Sequence, residues 1–379
     1  MASDEHALVF DNGSHTIKAG FSCKDEPQVI IPSVTGRPKT KLLNHVTFNP
    51  NLKERYVGNE AQTNSDILAL SHPVENGVIK HWDDMQKLWQ YTFDKLDASP
   101  KEQPILLTEI PNNPKANREK MAEVMFETFK CPAMYISIQG VLSLHSYGHV
   151  TGVAVDCGAD VTQIVPIIEG YSIPNGTSCL PLGGHDITLH LLKLLAENGV
   201  IFSTKHCIED ICRIKEKLCY VAANFDKEIE MARKSQGLRQ TYTLPDNHTI
   251  TVGSEQFCCP EVLFQPQILG RNFDGIHKMC CASIIKSNQP DEITRDLFRN
   301  IALSGGSSMY PGLPYRFSQE INTLAPSYVH PNVLVVDSRA NNVWIGGSIV
   351  ASLAAFQDMW LTKQEYQENG PLYIHNKLI

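Results

Sequence analysis

Short apolar runs that stop at Asp-x-Gly occur twice along this chain. Ala7-Leu-Val-Phe leads into Asp11-Asn-Gly13-Ser14, and Gly152-Val-Ala-Val leads into Asp156-Cys-Gly158-Ala159. Runs of that length bounded by glycine predict buried strands, and the Asp-x-Gly that follows predicts a hairpin tip. The repetition predicts two lobes with one tip each. Elsewhere the apolar spacing becomes helical. From Asn117, the residues Met121, Val124, Met125 and Phe129 share one face. Asp186 is placed to cap a run with Ile187, Leu191, Leu194 and Leu195 that stops at Gly199, and Ile211, Ile214, Leu218 and Val221 form a third stripe. Such stripes predict core packing; they position chemistry without performing it. The stretch from Asn300 through Ser304-Gly305-Gly306-Ser307 to Gly312 reads as a strand, a loop of glycines and hydroxyls, and a helix onset. Strands alternating with helices predict an α/β class. The segment from Thr35 to Ser71 is more polar and reads as an insertion in the first lobe, with no helical period from Thr40 to Leu52.

Length and composition agree with this picture. A chain of 379 residues exceeds one small core and suits two lobes of roughly 100–200 residues each. Hydrophobic content of 42% and charged content of 20% place it among ordinary globular proteins. The net charge of −8, without a Lys/Arg cluster, speaks against nucleic acid as the main partner, because phosphate backbones are bound through clustered cations. The start, Met-Ala-Ser-Asp-Glu-His, has no basic n-region, and the apolar stretch from Asn342 to Phe356 carries two glycines; neither a signal peptide nor a membrane span is expected. The 11 cysteines include two adjacent pairs, Cys258-Cys259 and Cys280-Cys281, and no C-x-x-C spacing, which reads as buried or free thiols in a reducing compartment.

The turns offer chemistry. Backbone N–H groups at a tight glycine turn form a concave anion site, and glycine lets the chain approach a phosphate without a Cβ in the way. Gly13-Ser14 and Gly158 supply such turns, Lys18 is the first candidate for a charge on the phosphates, and Asp11 and Asp156 are candidates to hold the waters of a hydrated Mg²⁺. One Asp-x-Gly is an ordinary turn signal. Two on matched strands, with Ser304-Gly305-Gly306-Ser307 besides, go further.

Over nearly its whole length the chain also carries a string of specific segments. They include Asp11-Asn-Gly-Ser14, Lys18-Ala-Gly-Phe21, Gly36-Arg-Pro38, Tyr56-Val-Gly58, Leu106-Leu-Thr-Glu109 and Asn113-Pro-Lys-Ala-Asn-Arg-Glu-Lys-Met121. Further on come Ile214-Lys-Glu-Lys-Leu-Cys-Tyr220, Ser304-Gly-Gly306, Met309-Tyr-Pro-Gly312, Trp344-Ile-Gly-Gly347 and Lys363-Gln-Glu-Tyr366. In this order they resemble the actin family. The resemblance implies a two-lobed actin-like ATPase fold of α/β class with duplicated strand-hairpin phosphate loops and four subdomains. It implies a first lobe of 1–148 plus 341–379, with an insertion at about 35–72, and a second lobe of 149–340, with an insertion at about 184–275. It further implies ATP or ADP with Mg²⁺ or Ca²⁺ in the cleft between the lobes. Partners would be copies of the chain or other actin-family subunits, with actin-binding or assembly proteins, in the cytoplasmic cytoskeleton and its filaments.

Residue by residue, the resemblance implies phosphate binding at Gly13, Ser14, His15, Thr16 and Lys18, and at Gly158, Ala159, Asp160 and Val161. Gly184, Lys215 and Glu216 match the nucleoside side, and Gly306, Ser307, Met309 and Tyr310 match the adenosine loop. Gln139 matches the glutamine that helps place the attacking water, with Gln163 as the second catalytic position, and Asp11 and Asp156 match the carboxylates around the hydrated metal.

Several positions depart from the family. His15 stands where the family has glycine, either donating to a phosphate as an imidazolium or pointing outwards while its backbone N–H does the glycine's job. The family's Asp-Ser-Gly-Asp-Gly-Val-Thr-His appears here as Asp156-Cys-Gly-Ala-Asp-Val-Thr-Gln163. Ala159 cannot order a metal-bound water, and Gln163 orients water but takes no proton. Losing a positioned acid–base group lowers a rate by roughly 10²–10⁴-fold, so slowed hydrolysis is expected. Cys179, Asn76, Cys212 and Ala340 replace an exit-path arginine, a usually modified histidine and two basic residues near the adenine. The loop from Thr40 to Leu52 matches the family poorly, yet Leu42, Leu43, Val46 and Phe48 would leave apolar surface in solvent, which favours docking on a partner. Three functions compete: a polymerising ATP-binding subunit, a specialised actin-related subunit with static nucleotide in a larger assembly, and a kinase or chaperone-type ATPase of the wider superfamily. The last fits least, because the resemblance extends into the inserted and C-terminal regions.

Overall fold

The computed structural model describes residues 6–39, 53–200, 207–234, 237–244 and 247–377. The chain folds as mixed α/β in two units, one of 1–150, 167–174 and 341–379, the other of 151–166 and 175–340. Leu42, Leu43, Val46 and Phe48 lie outside the described residues.

The first unit is built on a six-stranded sheet. From one edge its strands are Leu361–Thr362, Ala133–Ile138, Ile105–Glu109, Leu8–Asn12, Thr16–Phe21 and Val29–Pro32. The central strands Leu8–Asn12 and Ile105–Glu109 pair in parallel and are buried throughout, as strands covered on both faces must be. On one side, Met85, Leu88, Trp89 and Phe93 of the Trp82–Leu96 helix bury against Phe10 and Phe129. Phe93 lies edge-on to Phe10 at 5.0 Å and to Phe129 at 5.1 Å. On the other side lies the Asn342–Ser352 helix, with Trp344 donating from Nε1 to the Val9 carbonyl at 3.0 Å. Its two glycines have a steric reason: a Cβ on Gly346 would sit 1.8 Å from the Leu142 carbonyl oxygen, so only glycine allows so close a crossing with the Gln139–His145 helix.

The stripe expected from Asn117 begins earlier, as an α-helix over Lys115–Glu123 that continues as a wider, π-type segment over Val124–Phe129. Met121, Val124, Met125 and Phe129 are all buried. The polar insertion forms a three-stranded sheet of Thr35–Pro38, Tyr56–Val57 and Leu68–Ser71. It is tied down at buried Asp84, whose carboxylate meets Arg37 at 3.1 Å, Arg55 at 3.0 Å and the Ser71 hydroxyl at 2.9 Å.

In the second unit the strand Gly152–Cys157 lies between Thr162–Ile168 and Ile301–Ser304, with Val333–Leu334 outside the latter and Ser178–Leu180 paired to Thr162–Ile168. The second helix runs over Gly184–Glu197, and its N-cap is Gly183, not Asp186. Asp186 sits three residues in, where its carboxylate accepts from the Gly183 N–H at 3.1 Å and from Arg271 at 3.0 Å. The capping carboxylate therefore reaches back to the cap from the first turn. Of the third stripe, Ile211, Ile214 and Leu218 lie on the Cys207–Leu218 helix, with Ile211 and Ile214 fully buried, whereas Val221 lies beyond the helix end, still buried.

Candidate functional site

In the first unit the apolar run ends as expected in a hairpin. Leu8–Asn12 pairs antiparallel with Thr16–Phe21, and the Gly13 N–H donates to the Thr16 carbonyl at 3.1 Å. Asp11, only 4% exposed, is held from several directions. Lys18 pairs with its Oδ2 at 3.3 Å, while the Thr108 hydroxyl and the Gln139 side-chain amide both donate to Oδ1 at 3.1 Å. Thr108 also accepts from the Asn12 N–H at 3.0 Å, so its one proton is directed at the carboxylate. Gln139 opens its helix and is buried.

Ser14 is oriented by an unexpected neighbour. Asn76 and Gly77 have φ of 50° and 77°, the conformation of a two-residue Asn-Gly hairpin turn, and the Gly77 N–H donates to the Ser14 hydroxyl at 3.1 Å. With that acceptor site filled, the Ser14 proton is available to an anion. His15 is exposed, and its carbonyl accepts from the Ser33 N–H at 2.8 Å.

In the second unit Gly158 closes the matching hairpin by donating to the Val161 carbonyl at 2.9 Å. Asp156, 6% exposed, accepts from the Ser304 hydroxyl at 2.8 Å. The Ser307 hydroxyl donates to the Gly158 carbonyl at 2.8 Å, and the Gly184 N–H reaches the same carbonyl at 3.0 Å. Lys215 is buried, donating to the Gly184 carbonyl and the Thr188 hydroxyl, each at 2.9 Å. Two of its three protons are thereby used. Within this unit the structure thus gathers Asp156, Gly158, Gly184, Lys215 and Ser307. Ala159 and Asp160 are half-buried, Val161 is buried, and Ala159 accepts from the His185 N–H at 2.8 Å. Gln163 is buried opposite Cys179 in the strand register. Glu216 and Met309 are exposed. Tyr310 is buried, and burial drives its phenol far above the ordinary range; the same cause pushes the Cys157 thiol up to about 12.

The glycine loop has a built conformation. Gly305 has φ of 87°, and a Cβ there would sit 2.3 Å from the Cys157 carbonyl oxygen. At Gly306, by contrast, a Cβ would meet nothing within 4 Å. Sequence reasoning left three participants without roles: Thr108, Ser304 and Arg339. Thr108 and Ser304 lay inside segments already singled out, whereas Arg339 carried no signal. It is buried, and its guanidinium donates to the Ser308 and Val336 carbonyls.

Among the described residues no three His, Cys, Asp or Glu gather as a metal group, so these residues do not form an all-protein cage. Each unit has one buried carboxylate at a strand end, Asp11 in the first and Asp156 in the second. No helix among the described residues is long and apolar enough to cross a membrane. The description Actin matches residues 2–379, and with that span the chain belongs to the actin family.

Proposed function

We propose that this chain binds an adenine nucleotide, ATP or ADP, with a hydrated divalent cation, and assembles through actin-type contacts. The observation that carries the reading is the repeated construction: a buried carboxylate at a strand end, followed by a hairpin closed by glycine, once at Asp11–Gly13 and once at Asp156–Gly158. Membership of the actin family supports it. Gly13, Ser14, Thr16 and Lys18 serve the phosphates from the first unit, with His15 beside them, and Gly158, Ala159, Asp160 and Val161 from the second. Gly184, Lys215, Glu216, Gly306, Ser307, Met309 and Tyr310 serve the nucleoside. Asp11 and Asp156 orient the cation's waters, and the cation would screen the phosphate charge.

Gln139 is the group that places the attacking water, held at the strand end by its side-chain amide bond to Asp11. Gln163 orients water and transfers no proton, and Ala159 offers it no carboxylate, so hydrolysis is slow. That slowness also favours a second reading, a specialised actin-related subunit that holds its nucleotide statically within a larger cytoskeletal assembly. In either case Leu42, Leu43, Val46 and Phe48 dock on the neighbouring subunit, and sedimentation in polymerising salt separates self-assembly from dedicated docking.

The test is a nucleotide titration of the parent and Lys18→Ala. Loss of a charge-assisted contact costs roughly 1.5–3 kcal/mol, so affinity should fall by about 10- to 100-fold. Equal affinities in the two proteins would refute the assignment of Lys18 to the phosphates.

A further inference from the structure

We propose that Arg339 is a positioning residue for the bound nucleotide, its buried positive charge being balanced by the ligand's phosphates. The inference rests on the nucleotide reading above and extends it to a residue outside the recognised turns. Arg339 is 7% exposed. Its Nε and Nη2 donate to the Ser308 carbonyl at 3.3 and 3.1 Å, and its Nη1 donates to the Val336 carbonyl at 3.1 Å. In the other direction, the Gly305 N–H donates to the Arg339 carbonyl at 3.1 Å. Both ends of the Gly305–Ser308 loop are therefore fastened to this one residue.

Every side-chain partner of Arg339 among the described residues is a neutral carbonyl, and none of their ion pairs includes it. Asp337, two residues earlier, is exposed and does not pair with it. Carbonyl dipoles solvate a guanidinium but leave its charge uncompensated, and an uncompensated buried charge is costly. An arginine kept in that condition against the glycine loop favours an anion arriving at the loop. Gly306 beside it has open space where a Cβ would stand. The loop abuts the second phosphate turn, the Ser307 hydroxyl donating to the Gly158 carbonyl at 2.8 Å, so the phosphates that Gly158 serves supply that anion.

The discriminating experiment measures ATP and ADP affinity, and the shift in melting temperature that each produces, for the parent, Arg339→Gln and Arg339→Lys. Glutamine keeps a donor for the Ser308 carbonyl but removes the charge; lysine keeps the charge but loses the planar fork. The proposal predicts about tenfold or greater weakening in R339Q and a smaller nucleotide-induced shift, with R339K within about threefold of the parent. Equal affinities in R339Q and R339K, or a greater loss in R339K, overturn it, because a purely structural tie depends on hydrogen-bond geometry and not on charge. Should R339Q fail to fold, R339K decides alone: retention supports the proposal and tenfold loss overturns it. A folded parent that binds no nucleotide overturns the functional reading as well, whereas a binding parent with an unaffected R339Q overturns only the role of Arg339.

Discussion

At the scale of single residues, the proposed slow hydrolysis turns on the second hairpin. By the resemblance, Ala159 and Gln163 stand where a carboxylate and a histidine are expected, and Gln163 is buried within its strand. Ala159→Asp combined with Gln163→His should raise phosphate release by about 10²-fold or more, read as inorganic phosphate over time. An unchanged rate would place the limiting step elsewhere. Buried histidines make a separate prediction. Burial lowers the pKa of His145, His190 and His277 below the ordinary 6.5, with the Lys193 charge adding to the effect at His190. The unfolded chain therefore binds more protons than the native one. Their contribution is fully present above about pH 6.5 and is lost as pH falls from there through the lower folded values. Melting temperature should drop between pH 7.5 and 5.5, and His190→Phe should flatten part of that slope; a flat profile in the parent would contradict the assignment.

At the scale of elements, the glycine loop separates stability from binding within two adjacent residues. Gly305→Ala forces a side chain into a positive-φ position against the Cys157 carbonyl and should cost about 2–3 kcal/mol, read as a lower urea midpoint. Gly306→Ala meets no atom in the fold, so its stability should stay near the parent's while nucleotide affinity falls. If both variants lose stability alike, the loop is only a packing feature.

The elements were largely legible because their signals are local: the apolar run Leu8–Phe10, the stripe Met121–Phe129 and the stop at Gly199 each report on neighbours in the chain. Asp186 was misplaced by one turn because a capping box puts its carboxylate inside the helix. The ties of the site were not legible. Thr108 meets Asn12 across 96 residues and Ser304 meets Asp156 across 148, and no periodicity encodes such pairings. Arg339, 31 residues from its partner Ser308, looked like any charged loop residue until burial set it apart.

At the scale of the whole molecule, an acidic chain without a membrane-spanning helix among its described residues and a family match from residue 2 to residue 379 leave nucleotide occupancy as the central claim. The most direct measurement is to denature the purified protein, separate the released small molecules by chromatography and count adenine nucleotide per chain, while following phosphate during any assembly. The account predicts close to one ATP or ADP per chain, with phosphate appearing slowly or not at all on the timescale of assembly. A folded preparation that releases no nucleotide after equilibration with millimolar MgATP would contradict it.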